Sequence, residues 1–263
     1  MRKIDFWCLK HKLLAFILLT LSLNVCGGIV LYALSAPIWV LVAYSALIFL
    51  LNILYVNFNY AKGVQVAIEN FNNCDPYPLY ELSEKILPYV KGTSGQDILL
   101  NKTSSLFWMG EHEKMLKILE ELNIDKISGT LLQSKIVYYN NLTCAYESLG
   151  RIEDAAKTFK KVKQLCEDAN PKIKEQYKNI MISAEIFELK AEGKYEEALK
   201  LTQDCIENNP LQKISVAMER AELFITMKDY EKAKTQLKFI SLNGYRTHFV
   251  KKAQEMYNEI ADL

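Results

Sequence analysis

From Leu13 to Ala61 the chain has no Asp, Glu, Lys, Arg or His, which excludes an ordinary water-facing surface segment there. An excess of either charge sign is also missing. The formal net charge is +1, and the first twelve residues hold Arg2, Lys3, Lys10 and Lys12 against Asp5, so the rest is close to neutral. A nucleic-acid binder would carry a basic surplus on one face, and none is present. The six cysteines (Cys8, Cys26, Cys74, Cys144, Cys166, Cys205) form no CxxC pair and no metal-like spacing, so they read as reduced packing residues. The three histidines, His11, His112 and His248, stand isolated in sequence, without zinc-site spacing or an adjacent partner for base chemistry. There is no phosphate-binding glycine loop, dinucleotide turn or nucleophile elbow. The expectation is a protein with no catalytic residues, cofactor, metal or small-molecule substrate.

The uncharged stretch is roughly twice the 20 or so residues that a helix needs to cross a bilayer. Ser35-Ala36-Pro37 divides it, because proline disfavours helix just before it and suits the first turn of the next. Two transmembrane spans are expected, 13–34 and 38–58, after a basic flank 1–12. The basic residues of the flank, the uncharged tip and Lys62 then place both termini in the cytoplasm of a multi-pass membrane protein. A cleaved signal peptide is the competing reading, weakened by the length of the apolar stretch. Gly27 and Gly28 lie about as far before the tip as Tyr44 and Ser45 lie after it, so a ring can cover bare backbone.

Beyond a helical adapter at 59–95, four segments nearly repeat: Gly110 to Met115, Gly150 to Ala155, Gly193 to Ala198 and Lys228 to Ala233. Each places a helix breaker after an apolar-periodic stretch. A carboxylate then follows in the new helix's first turn, and three copies have an alanine where helices approach closely. The breakers stand about 40, 43 and 35 residues apart, and helical hairpins this short must stack to bury their stripes. Phe249, Val250, Ala253, Met256, Tyr257, Ile260 and Ala261 share one face of a final capping helix. Lys251, Lys252, Glu255 and Glu259 lie opposite, toward water.

The marks Thr143, Tyr146, Gly150, Ala155, Phe159 and Val162, then Leu189, Gly193, Tyr195, Ala198 and Pro210, then Ala221, Phe224, Tyr230, Ala233 and Ile240, resemble those of tetratricopeptide repeat proteins. The first copy departs from the pattern, with Met115 in place of the alanine. The resemblance implies an all-α chain: a transmembrane helical hairpin, then a tetratricopeptide-like α-solenoid over 96–263 with its capping helix. The longer spacings imply extended helices. It also implies that the first helix of each pair lines an inner groove, with stripes Asn101, Ser104, Trp108; Asn140, Cys144, Glu147; Ser183, Phe187, Lys190; and Met218, Glu222, Ile225. Of these, Asn101, Trp108, Asn140, Glu147, Phe187, Lys190, Met218 and Glu222 are the candidate contacts for a protein or peptide partner. The expected function is a membrane-anchored cytoplasmic adaptor. The alternative is a structural subunit assembling through its spans.

Overall fold

The computed structural model describes residues 20–35, 37–122, 124–126 and 131–261, and all regular structure among them is helical. The basic flank, Cys8, His11 and residues 13–19 of the first apolar segment lie outside them. The chain forms two compact units, Met1–Val66 and Ala67–Leu263.

In the first unit, α1 covers 20–33, and α2 begins at Ile38 after the Pro37 break and runs to Asn72. Gly27 has the role expected of it. A Cβ there would clash with the Tyr44 hydroxyl, and Tyr44 donates that hydroxyl to the Leu23 carbonyl at 2.9 Å. Gly28 faces open space. Asn24 turns its amide back to the Thr20 carbonyl rather than across the hairpin.

The membrane assignment requires correction. Among the described residues no helix is long and apolar enough to cross a membrane, so an integral multi-pass location with cytoplasmic termini is not supported. In α2 the apolar run from Ile38 meets Asn52, then Asn57 and Asn59, and gives way to Lys62. An uninterrupted run of about 14 residues falls in the range of core or interfacial helices. A stretch without charge is not by itself the length of apolar helix that a crossing needs.

The second unit is a succession of helices packed on their chain neighbours. α3 (Tyr77–Ile86) packs on α4 (Gly92–Met109), and α4 packs on α5 (His112–Leu122). α6 (Leu132–Ser148) packs on α7 (Ile152–Glu167). After the one-and-a-half-turn α8 (Pro171–Gln176), α9 (Lys178–Ala191) packs on α10 (Tyr195–Leu201). α11 (Pro210–Thr226) packs on α12 (Tyr230–Asn243), and α13 (Phe249–Glu259) packs on both. The adapter is therefore not separate, since α3 already packs on the first repeat helix.

The four breakers make the same turn. Gly110, Gly150 and Gly193 take φ of 79°, 71° and 75°, and Lys228 takes 61°. In each turn the next residue's N–H reaches back to the fifth carbonyl before it: Glu111 to Leu106, Arg151 to Tyr146, Lys194 to Leu189 and Asp229 to Phe224. This closure satisfies helix-end carbonyls and needs one left-handed residue, which glycine adopts without a Cβ clash. Lysine fills that position in the last turn at some strain. Ala155, Ala198, Ala233 and Met115, each five residues past its breaker, are fully buried.

The uneven spacing goes with helices of unequal length, 16 residues in α7 against 11 in α5 and 7 in α10, and with short insertions, the 3₁₀ turn Ile124–Lys126 and α8. α8 is started by Asn170, whose side chain accepts the Ile173 N–H with Pro171 in the first turn. Asn209 and Pro210 start α11 in the same way.

Candidate functional site

The faces of α4, α6, α9 and α11 that point away from their hairpin partners converge with α13 on one groove of about 1030 Å³. Buried polar contacts fix these faces. The Asn141 amide bonds the Leu100 carbonyl and the Thr103 and Ser104 hydroxyls, holding α6 on α4. Thr143 bonds Thr158 at 2.8 Å between α6 and α7. Asn179 exchanges two hydrogen bonds with the Ile206 backbone, at 2.8 and 2.7 Å, and Arg220 caps Thr202 while pairing with Glu207 at 3.0 Å.

Of the eight residues expected to line the groove, seven do. Asn140 and Glu147 stand on α6, Phe187 and Lys190 on α9, Met218 and Glu222 on α11, and Trp108 on α4. Asn101 is exposed and does not line it. It sits one turn before Ser104, where Leu100 and Thr103 face α6, so the stripe on α4 enters the groove only in its last turn. Ile225 likewise packs in the core beneath α11. Met218 is 4 % exposed and serves the core more than the groove.

Four carboxylates and three ammonium groups line the groove, and Lys251 pairs with Glu255 at 3.5 Å. Lys190 pairs with Glu219 at 2.8 Å and Glu222 at 3.5 Å, and Lys252 pairs with Glu222 at 2.7 Å. Lys252, expected to face water on the capping helix, instead reaches into the groove. Desolvation pushes the Glu219 carboxyl up, whereas Lys252 and Lys190 outweigh burial at Glu222 and hold it below the usual carboxylate range. Among the described residues Glu147 makes no ion pair. Desolvation pushes its carboxyl up to about 7, an effect tempered because its side chain stays open to water.

The ends of the repeat array meet at one edge of the groove. The His248 backbone N–H donates to the Trp108 carbonyl at 2.9 Å, and its ring Nδ1 lies 3.2 Å from the same oxygen, so Nδ1 carries the proton. Trp108 and Phe249 pack edge to face at 5.0 Å between ring centres, and the His112 and His248 rings at 5.1 Å. Beside them Arg246 holds Asp75 at 3.1 Å and donates its backbone N–H to the Cys74 carbonyl. Cys74 is fully buried with φ of 66°, a strained backbone secured by this contact. Gly110 admits the approach, because a Cβ there would stand 3.0 Å from the His248 Cβ. Burial drives the His248 imidazole down to about 4 and lowers His112, with Lys252 adding to both. His112 Nδ1 is buried with no hydrogen-bond partner among the described residues.

Sequence reasoning missed this clasp. The two histidines look isolated because they come from opposite ends of the array. Cys144 and Cys205 pack against the core clusters and also reach the groove lining, and burial pushes both thiols up, leaving them poor nucleophiles. Among the described residues no group of three or more His, Cys, Asp or Glu could hold a metal ion. No family model, no curated protein and no solved structure matches this chain.

Proposed function

We propose that the chain is a tetratricopeptide-like helical repeat scaffold that binds an extended segment of a protein partner in the groove of its second unit. The observation carrying this reading is the convergence of the first helices of successive hairpins on a single concavity. A convex or filled face would offer a partner no such enclosure. Apolar contacts are available from Phe187, tilted against Phe159 at 4.6 Å, and from Ile180 and Tyr177. Polar contacts come from Asn140, Ser183 and Ser215, a mixture suited to main chain and side chains together. The reading assigns the chain no catalytic step.

Filling the groove tests it. Ser183 is exposed on the groove wall, so Ser183→Trp adds bulk there without entering a core. Partner recovered with the tagged protein should fall at least tenfold, while circular dichroism and melting temperature stay unchanged. Undiminished recovery by a folded Ser183→Trp variant would refute binding in the groove.

A further inference from the structure

On α6 two groups face the groove without a direct partner among the described residues. Asn140 makes no hydrogen bond through its side-chain amide, and Glu147 makes no ion pair, feeling Lys190 and Lys252 only from beyond contact distance. Their polar neighbours are committed: Asn141 to α4, Lys190 to Glu219 and Glu222, and Lys252 to Glu222. Four carboxylates (Glu147, Glu219, Glu222, Glu255) against three ammonium groups (Lys190, Lys251, Lys252) leave the groove one positive charge short, and since Lys251 pairs with Glu255 the shortfall lies at Glu147.

We infer that this groove takes a peptide segment whose Lys or Arg side chain pairs with Glu147 while Asn140 holds its main chain. The inference rests on the groove reading above and adds the chemistry of the ligand. Asn140 and Glu147 are seven residues apart, two turns of helix, or about 10.5 Å along the axis. An extended peptide advances about 3.3 Å per residue, so the two contacts fall about three residues apart on it. A primary amide can donate to a peptide carbonyl and accept from a peptide N–H at once, which fixes register without reading sequence. The carboxylate supplies the selectivity, because charge-assisted hydrogen bonds are roughly twice as strong as neutral ones. An acidic side chain at that position would face Glu147, Glu219 and Glu222 together. Phe187, tilted against Phe159, lines the same groove and offers an apolar surface for the aliphatic stem of a lysine or arginine.

The test uses full-length protein, immobilised, and four pools of fluorescein-labelled dodecapeptides with blocked ends, random except for one central residue fixed as Arg, Lys, norleucine or Glu. The Arg and Lys pools should be retained at least fivefold over norleucine, with Glu lowest. Glu147→Gln should bring Arg and Lys down to the norleucine level and leave norleucine retention as it was. Asn140→Ala should weaken all four pools together. Equal retention of all pools by the unsubstituted protein, a preference for Glu, or an Arg preference that survives in Glu147→Gln would each overturn the inference while leaving the groove reading intact. Retention of no pool would overturn both. Melting curves keep a misfolded variant from counting, and the solvent-open position of Glu147 makes glutamine structurally mild there.

Discussion

Ala198→Phe will cost about 1 to 3 kcal/mol, the usual range for overpacking a close helix contact. For a domain of this size that lowers the melting temperature by roughly 2 to 12 °C, at about 2–4 °C per kcal/mol. Ala198 is 0 % exposed and sits among Ile182, Ile186 and Leu223, so a ring there must push α10 away from α9 and α11. Thermal denaturation followed by circular dichroism measures it. Ala155→Phe and Ala233→Phe, at the equivalent fully buried positions, should behave alike. A change at Ala198 that leaves the melting curve in place would mean that the repeat register is wrong.

Acid will loosen the clasp. His248 is held at about 4 in the folded chain against an ordinary 6.5, and His112 is also lowered. A base with a depressed folded pKa favours the folded state fully above its unfolded value, and that contribution is lost as pH falls from about 6.5 toward 4. At pH 5 the loss from His248 is about 2 kcal/mol, at 1.36 kcal/mol per pKa unit. Glu147 and Glu219, both raised, work in the opposite direction, their cost to folding growing as pH rises above the ordinary carboxylate range and, for Glu147, toward 7. The histidine effect is therefore isolated by comparison with His248→Gln, which can still donate to the Trp108 carbonyl but does not titrate. From pH 7 to pH 5 the unsubstituted protein should lose roughly 4 to 8 °C more in melting temperature than His248→Gln. Parallel pH profiles would remove the clasp from the account.

The contrast between these two sites marks what could be read before the structure. The turns at Gly110, Gly150, Gly193 and Lys228 were legible because a helix break is local: a left-handed residue, a carboxylate in the next turn and a small residue five positions on all lie within one short segment. The groove faces of α6 and α9 were legible for the same reason, since i, i+4, i+7 spacing fixes a face once the hairpin partner's face is known. Asn101 failed on that rule, because α4 packs against α3, α5 and α6 and leaves only its last turn open to the groove. The clasp was illegible because Trp108 and His248 are far apart in sequence and meet only when every intervening hairpin has added its rotation. The apolar segment was misread by counting charges. Composition sets solvent preference over a stretch, whereas crossing a membrane also needs an uninterrupted length.

The central claim is that partners meet the chain in the groove and not on its outer face. A photo-crosslinking residue at Ser215, exposed on the groove wall, is compared with one at Lys161, exposed on α7 outside it. Irradiation should yield a discrete crosslinked product from position 215, lost when Ser183→Trp is added, and none from position 161. Product from position 161 alone, or product from position 215 that persists with the groove filled, would contradict it.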